Sequence, residues 1–319
     1  MVAPNPRPAT ERTGAGEDAA VRRIAGALAQ ASGPPPPGEL WIGDDSAVVG
    51  RPEGALVLAT DAVVEGVHAD LGLVTLADLG WKAMTAAVSD IGAMGARPLH
   101  TLVTICCPPG TDLEALTSGL AEASAEWGCP VVGGDLSSAE EVMVSVAVTG
   151  VLDGARPPVR RSGARPGDTL AVTGPLGAAA AGLRLLRAGE TTGPLVAAHR
   201  RPRARLAEGT VVRAAGATAM IDVSDGLALD LHRLADASGV GFALTQVPVA
   251  PGATFEEALA GGEDYELVVA TPEVEALVGA FNAAGLRTPI VIGRCTADVN
   301  QRRLEGEPLG RLGYEHAVE

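Results

Sequence analysis

Lysine and aromatic residues are scarce in this chain of 319 residues. It contains one lysine, Lys82, and aromatic side chains make up 3% of the sequence. A phosphate-binding loop that ends in Gly-Lys-Ser/Thr is therefore absent, which excludes ordinary P-loop chemistry. The shortage of aromatic rings also argues against the base-stacking surfaces of single-strand and RNA-binding proteins.

Paired cysteines and runs of basic residues are also missing. Four cysteines without C-x-x-C spacing (Cys106, Cys107, Cys129 and Cys295) predict free, buried thiols in a reducing cytoplasm. The formal net charge of −15 opposes binding to nucleic acid. The sequence shows neither a secretory signal nor an apolar run long enough to cross a bilayer, so we expect no membrane partner. An acidic protein that handles phosphorylated ligands needs divalent cations to hold them.

The chain does contain a clear alternation of strand and helix patterns, which predicts an α/β or α+β fold. Leu76 to Met94 has the spacing of a long helix, and Leu99 to Cys107 that of a buried strand. The length favours two domains, and a segment rich in Pro, Gly and Arg at 153–165 marks their boundary. We therefore predict a disordered tail at 1–16, an N-terminal domain at 17–153 and a C-terminal domain at 154–319.

Acidic residues recur beside glycines where predicted strands end. Gly-Asp pairs are ordinary turn chemistry and Asp is an ordinary helix N-cap, so each instance alone is weak evidence. Their recurrence indicates a set of hard oxygen ligands suited to Mg²⁺, close to backbone that glycine leaves accessible. Lys82 follows Asp78 by four residues, which predicts an ion pair on an exposed helix surface.

Seven motifs rich in glycine and acidic residues follow one another between about Leu40 and Gly313. They are Ile42-Gly43-Asp44-Asp45-Ser46-Ala47, Thr60-Asp61 with Val64-Glu65-Gly66-Val67-His68, Ser89-Asp90-Ile91-Gly92-Ala93-Met94-Gly95-Ala96, Gly133-Gly134-Asp135, Arg161-Ser162-Gly163-Ala164, Ile221-Asp222-Val223-Ser224-Asp225-Gly226-Leu227 and Gly261-Gly262-Glu263-Asp264-Tyr265-Glu266-Leu267. The motifs occur in the order typical of thiamine-monophosphate kinases, so the chain resembles that family, within the superfamily of aminoimidazole ribonucleotide synthetase and selenophosphate synthetase.

This resemblance implies a two-domain aminoimidazole ribonucleotide synthetase-like fold, with an N-terminal mixed sheet and a C-terminal α/β sandwich. It implies a cytoplasmic homodimer paired through the N-terminal sheets, with ATP and several Mg²⁺ ions in a cleft. The implied reaction is in-line transfer of the γ-phosphoryl group of ATP to thiamine monophosphate, the final step toward thiamine diphosphate. A related ATP-dependent synthetase with another acceptor, and a non-catalytic nucleotide- or thiamine-phosphate-binding module, remain alternatives.

The resemblance also assigns roles to individual residues. Positions that match the metal ligands are Asp44, Thr60, Asp61, Asp90, Asp135, Asp222 and Asp225, of which Asp61, Asp90 and Asp135 are the expected catalytic residues. Positions that match nucleotide contacts are Gly134, Asp135, Arg161 and Ser224. Positions that match contacts with thiamine monophosphate are His68, Glu263 and Tyr314.

Overall fold

A computed structural model describes residues 17–316 of the chain, and two β-sheets organise this part of the protein. The helices are α1 (Glu17–Ser32), α2 (Leu76–Ala93), α3 (Leu113–Trp127), α4 (Ala178–Arg187), α5 (Pro194–Arg200), α6 (Leu206–Ala215), α7 (Leu227–Ser238), α8 (Phe255–Ala260) and α9 (Val274–Ala283). The strands are β1 (Ala55–Val64), β2 (Arg97–Cys107), β3 (Val131–Ser138), β4 (Met143–Leu152), β5 (Thr169–Val172), β6 (Ala219–Asp222), β7 (Gly241–Leu244), β8 (Leu267–Thr271), β9 (Ile290–Thr296), β10 (Arg302–Leu304) and β11 (Glu307–Pro308).

The first sheet has four strands in the order β1-β4-β2-β3 and is covered on one face. Strand β4 is antiparallel to both of its neighbours, whereas β2 and β3 are parallel. Val144, Val146 and Val148 alternate along β4 toward the helices and are buried. The other face carries apolar side chains that remain in solvent, since Leu58 is 68% exposed and Leu102 is 47% exposed. The sheet therefore has an open apolar face in the single chain.

Helix α2 is the central helix of the N-terminal half. It begins with a capping box, in which the Thr75 hydroxyl accepts from the Asp78 amide and the Asp78 carboxylate accepts from the Thr75 amide. Small residues let α2 approach its neighbours closely: a side chain at Gly119 of α3 would clash with the backbone of Ala77. Nearly every residue of α2 is buried as a result.

The second sheet has seven strands in the order β11-β10-β7-β9-β5-β8-β6 and separates two apolar layers. Val268 and Ala270 of β8 pack on one side with α7, while Leu267 and Val269 pack on the other side with Phe281 of α9. Every residue of β8 is buried. Sheet and flanking helices form the expected α/β sandwich, so the two-domain α/β prediction is confirmed.

The segment between α5 and α6 fastens the second unit to the first. Pro202 offers its carbonyl oxygen to the Trp81 indole N–H at 2.8 Å, and Arg201 pairs with Asp78 at 3.2 Å while lying over the Trp81 ring. Arg203 lies over Trp127 in the same manner. These contacts cross from one unit to α2 and α3 of the other, and they hold the two walls of the cleft together.

Two of the strands are longer than the sequence predicts, and this moves two predicted site residues. The apolar run Ala55 to Ala59 predicts a strand that ends just before Thr60-Asp61, but Asp61 lies inside β1 and is paired with Val146. Asp135 was also expected just after a strand, but it lies inside β3 opposite Thr104. Pairing with neighbouring strands extends both segments beyond the apolar runs that local pattern reveals.

Of the cysteines, Cys107, Cys129 and Cys295 are buried free thiols as predicted, whereas Cys106 is half-buried and also free. Among residues 17–316, no helix combines the length and hydropathy needed to span a membrane. The tail predicted at 1–16 lies outside the described residues.

Candidate active site between the two sheets

Four carboxylates from both units meet in the cleft. Asp61 comes from β1, Asp90 from the last turn of α2, Asp222 from the end of β6, and Asp225 from the turn that leads into α7. The Ser89 hydroxyl donates to an Asp222 carboxylate oxygen at 2.6 Å, which joins the two units directly. Sequence motifs more than 130 residues apart thus supply one acidic cluster, which we call the cleft carboxylates.

The cleft carboxylates carry more negative charge than their surroundings balance. Burial, followed by repulsion from Asp222 and Asp61, raises the pKa of Asp90 to about 7. Burial also raises the pKa of Asp61 and that of Asp222. Arg161 is the cation that opposes this shift at both Asp90 and Asp222. Hard oxygen donors that repel one another in a partly buried site suit a divalent cation.

Asp230 is a buried acid that sequence reasoning missed. Its Oδ2 accepts from the backbone amides of Ser224 and Asp225 at 3.1 and 3.0 Å. Arg233 pairs with both Asp230 and Asp225. Burial raises the pKa of Asp230 to about 6, although the amides and Arg233 favour its charged form. The position of Asp230 in the first turn of α7, just after Ser-Asp-Gly, is the signal that could have identified it.

A cavity of about 530 Å³ opens beside the cleft carboxylates and receives residues from both units. Asp61 and Asp225 line it, together with the three predicted substrate residues, His68, Glu263 and Tyr314. Arg187, His199 and His316, which were not predicted as site residues, line it as well. We call this space the acceptor cavity.

Lys82 does not form the exposed pair with Asp78 that the sequence predicted. The side chain is 1% exposed, and its Nζ lies 2.7 Å from Oε1 of Glu263 in the other unit. Asp78 instead caps α2 and pairs with Arg201. The prediction was wrong because the face of α2 that carries Lys82 is covered by residues far away in the sequence.

Two histidines and a tyrosine close one side of the acceptor cavity. Nδ1 of His68 accepts from the Val64 amide at 3.1 Å, which fixes the ring at the end of β1. The His316 ring lies 5.2 Å from that of His68 and 4.9 Å from that of Tyr314. The Tyr314 amide donates to the Asp225 carbonyl at 3.0 Å, so the C-terminal segment is fastened to the turn that carries a cleft carboxylate. Burial, followed by repulsion from His316, lowers the pKa of His68.

A second cavity of about 560 Å³ lies on the other side of the cleft carboxylates. Asp90 and Arg161 line it, and so does Thr60, the neighbour of Asp61 in β1. Consecutive residues of one strand therefore face two cavities, with Thr60 in this one and Asp61 in the acceptor cavity. We call the second space the arginine cavity.

Asp44 and Asp135 line neither of the two cavities. Asp44 is exposed in the loop before β1, and Asp135 accepts from the Ser137 hydroxyl at 3.0 Å on β3. Strand β3 is three strands away from β1, and strand spacings of about 4.8 Å put Asp135 roughly 14 Å from Asp61. Gly134 fits where it does because any side chain would clash with the Val103 carbonyl.

The predicted metal ligands therefore do not form one ready-made coordination shell. Within residues 17–316, no three His, Cys, Asp or Glu side chains are placed to hold a metal ion as they stand. The cleft carboxylates lie close enough to repel one another, whereas Asp135, roughly 14 Å from Asp61, would reach the same ligand only if that ligand were extended.

Comparison with known proteins places both halves of the chain in one family. Residues 43–152 match the N-terminal domain of AIR synthase related protein, and residues 165–304 match its C-terminal domain. A thiamine-monophosphate kinase of Mycobacterium tuberculosis is 39% identical over 287 residues, which cover 86% of this chain and 85% of the relative.

Solved structures give the same result. The thiamine-monophosphate kinase of Stenotrophomonas maltophilia has a TM-score of 0.78 at 29% identity, covering 90% of this chain and 95% of that one. A ThiL protein complexed with AMPPCP and TMP has a TM-score of 0.74 at 30% identity, covering 94% and 97%.

Proposed function

This chain belongs to the thiamine-monophosphate kinase family, and we propose that its cleft transfers the γ-phosphoryl group of ATP to thiamine monophosphate, giving thiamine diphosphate and ADP. The observation that carries the proposal is the position of the cleft carboxylates between two cavities. A reaction between two phosphorylated molecules needs one space for each of them. It also needs a centre between them where negative charge is balanced.

Thiamine monophosphate occupies the acceptor cavity in this proposal. Its thiazolium ring is a cation, and the Glu263 carboxylate supplies an anion on the cavity wall. His68 and Tyr314 offer ring surfaces on the side formed by the ends of β1 and of the chain. The phosphate of the acceptor then points toward Asp61 and Asp225, which line the same cavity.

ATP approaches from the arginine cavity, where Arg161 is the cation that favours the charged forms of Asp90 and Asp222. Ser224, in the turn held by Asp230, lines the acceptor cavity, so its proposed nucleotide contact is with the end of ATP that faces the acceptor. Gly134 and Asp135 are proposed to contact the nucleotide from β3. The roughly 14 Å between Asp135 and Asp61 suits a molecule as long as a nucleoside triphosphate better than a single ion.

Several Mg²⁺ ions are part of the proposal, because the donor set fits them. Asp61, Asp90, Asp222 and Asp225 supply hard oxygen atoms whose mutual repulsion a divalent cation relieves. Asp44, Asp135 and the Thr60 oxygen are proposed as further ligands. Bound Mg²⁺ would screen the repulsion between the two phosphates and stabilise negative charge on the departing ADP.

The chain's own residues need not remove a proton from the acceptor. A phosphate monoester is already anionic near neutral pH, so the attacking oxygen is available without a strong general base. Asp61, Asp90 and Asp135 are therefore proposed to act through the charge and position of their oxygens. Without a cation, burial and repulsion from neighbouring acids raise the pKa of Asp90. A bound cation would favour the charged form of Asp90 and lower this pKa, in agreement with the proposed role.

A homodimer is the proposed state of the enzyme. The open face of the first sheet carries Leu56, Leu58 and Leu102, all of them largely in solvent in the single chain. A second copy would remove this apolar surface from water through the same face. We also propose that the enzyme works in the cytoplasm, where ATP is available and free thiols such as Cys106 persist.

The proposal is tested by incubating the purified protein with ATP, Mg²⁺ and thiamine monophosphate and measuring ADP and thiamine diphosphate together. Equal amounts of the two products are expected. ADP formation that depends on a different acceptor would favour a related synthetase. Binding of both ligands without product would favour a non-catalytic module.

The Asp61→Asn variant tests the role of the cleft carboxylates in the same assay. We expect turnover to be abolished while the thermal unfolding temperature stays close to that of the wild type, because Asp61 is only half-buried. Asp153→Asn, at an exposed acid that lines neither cavity, is the matched control and should keep full activity. Near-normal activity of Asp61→Asn at moderate Mg²⁺ would refute the proposed role.

A further inference from the structure

The only lysine of the chain is buried where the two units meet. Lys82 lies in the middle of α2, and its side chain is 1% exposed. A buried ammonium group is costly unless each of its N–H bonds has an acceptor. The site of Lys82 therefore has to supply three acceptors and a negative charge.

The three acceptors come from the two walls of the acceptor cavity. Nζ of Lys82 lies 2.7 Å from Oε1 and 2.8 Å from Oε2 of Glu263, and 3.2 Å from the carbonyl oxygen of His68. Glu263 and His68 both line the cavity, whereas Lys82 is not among the described residues that do so. The ammonium group thus lies behind the wall and holds one residue from each unit.

The Glu263 backbone would not adopt its conformation readily without such support. Its φ of 67° lies in the left-handed region, and Tyr265 two residues later has a φ of 50°. Residues other than glycine are held in this region only when their surroundings fix them. The Glu263 amide donates to the Ser224 carbonyl at 2.8 Å, and the Lys82 ion pair fixes the side chain.

His199 is a second basic side chain beside Glu263, and it does not replace Lys82. Its Nδ1 lies 3.5 Å from Oε2 of Glu263. Burial, followed by repulsion from Lys82, lowers the pKa of His199 to about 3, so this ring is neutral near pH 7. Lys82 is then the cation that balances Glu263.

We propose that Lys82 is a positioning residue for the phosphoryl acceptor: it fixes the Glu263 carboxylate and the His68 carbonyl so that both cavity walls receive thiamine monophosphate in one arrangement. This inference rests on the proposed function, because it takes the cavity beside Asp61 as the acceptor site. It assigns no contact between Lys82 and the substrate, and none with the nucleotide.

The Lys82→Met variant keeps the length of the side chain and removes its charge. Losing a charged hydrogen-bond donor should raise the KM for thiamine monophosphate by about tenfold or more. The KM for ATP should change by less than about threefold, because Lys82 contacts nothing in the arginine cavity. Initial rates at saturating concentrations of the second substrate measure each constant.

Arg201→Met is the matched control, because it also removes an ion pair between the two units. Arg201 pairs with Asp78 at the start of α2, away from the acceptor cavity. This variant should lower the thermal unfolding temperature and leave both KM values unchanged. If Lys82→Met behaves in the same way, Lys82 has a structural role only and the inference is overturned.

The double variant Lys82→Met/Glu263→Gln removes both charges, so no unpaired charge stays buried if the single variant fails to fold. In the Glu263→Gln background, removal of Lys82 should add less than about a threefold change in the KM for thiamine monophosphate. Independent, multiplying effects of the two substitutions would overturn the proposal, since they would show that Lys82 does not act through Glu263.

The wild-type protein offers a readout that does not require turnover. After labelling with ¹⁵N-lysine, its single side-chain ammonium group gives one NMR signal, which should shift on addition of thiamine monophosphate and stay in place with an ATP analogue. A shift with the analogue alone, or no shift on saturation with thiamine monophosphate, would overturn the proposal. If the wild type forms no thiamine diphosphate, the proposed function fails instead, and this titration still decides the role of Lys82.

Discussion

Two carboxylates of this protein are equally buried and differently paired. Asp222, one of the cleft carboxylates, and Glu266, at the end of the Gly-Gly-Glu-Asp-Tyr-Glu segment, are each 3% exposed. Asp222 has a neutral hydroxyl, that of Ser89, as its side-chain hydrogen-bond donor. Glu266 is bound by two arginines, Arg205 at 2.8 Å and Arg287 at 2.7 Å.

The difference separates an acid that stabilises the fold from one that is available to a ligand. Glu266 has its charge satisfied inside the protein, and the Thr173 hydroxyl donates to it as well, at 2.5 Å. Burial raises the pKa of Asp222, because taking its charge out of water is only partly compensated by Ser89 and Arg161. Burial alone therefore does not identify a functional acid, whereas burial without full compensation does.

The largest expected effect is on activity, in Asp222→Asn. The amide keeps the size of the side chain and removes one of the charges that the proposed Mg²⁺ requires, so kcat/KM should fall by about a thousandfold. The thermal unfolding temperature should stay the same or rise, because an uncompensated buried charge is lost. Steady-state kinetics and thermal unfolding measure the two quantities. Activity within about tenfold of the wild type would show that Asp222 is not needed to bind the proposed Mg²⁺.

Glu266→Gln should show the opposite behaviour. Removing this charge leaves Arg205 and Arg287 without their common partner and should cost about 3 kcal/mol, a fall of roughly 10 °C in the thermal unfolding temperature. The folded fraction should keep its KM values. Glu256→Gln, an exposed acid on α8, is the control and should unfold like the wild type. A Glu266→Gln protein of normal stability would contradict the structural role.

A third prediction concerns the pH dependence of stability without divalent cations. The pKa of Asp90 is about 7 in the folded protein, above its ordinary value of 3.8. The folded state binds the Asp90 proton more tightly than the unfolded state does. Protonated Asp90 therefore contributes stability at low pH, and this contribution is lost as the pH rises from about 4 through 7. Relative to Asp90→Asn, the wild type in EDTA should lose about 3 kcal/mol of unfolding free energy over this range.

Urea unfolding of the two proteins at several pH values measures this loss. Millimolar Mg²⁺ should restore the stability of the wild type at pH 7 and have little effect on Asp90→Asn. Parallel pH profiles of the two proteins would show that Asp90 is already compensated, and the contrast with Glu266 would then disappear at this position.

The smallest effect is expected where pairing occurs without burial. Arg97 and Asp153 lie 3.2 Å apart, with side chains 57% and 62% exposed. Solvent screens such a pair, so Asp153→Asn should change the free energy of unfolding by less than about 0.5 kcal/mol. Its activity should equal that of the wild type. A larger loss of stability would show that pairing alone, rather than pairing of buried groups, distinguishes structural acids in this chain.

Local sequence patterns were sufficient where an element is defined by its own residues. The helix predicted from Leu76 to Met94 is observed as Leu76–Ala93, and Asp90 is near its end as expected. The short apolar run Met220 to Val223, which leads directly into a Ser-Asp-Gly turn, predicts a strand that is observed as Ala219–Asp222. Family motifs then brought Asp90 and Asp222 into one proposed site, and the structure places both in the cleft.

The errors arose where distant segments decide the environment. Lys82 has Asp78 four residues before it, but its partner Glu263 is 181 residues away, and no helical periodicity contains that contact. The extents of β1 and β3 depend on pairing with β4 and β2, which placed Asp61 and Asp135 inside strands. No sequence pattern marks His316 as a ligand-binding residue. It lines the acceptor cavity because the C-terminal segment packs beside His68, with the two rings 5.2 Å apart.

The contacts of residues 263–266 restrict insertions and deletions in this segment. Glu263 is bound to Lys82 on α2 of the other unit, and the Asp264 carboxylate accepts from the Gly177 amide at the start of α4. The Tyr265 amide donates to the Val223 carbonyl, and Glu266 is bound to Arg205. Four successive residues with four different partners should tolerate no inserted or deleted residue, because each partner would then meet the wrong neighbour. At 189–193, by contrast, a side chain added at either terminal glycine would meet nothing within 4 Å. Among related sequences aligned with this one, gaps should therefore fall between α4 and α5 and be excluded from 263–266.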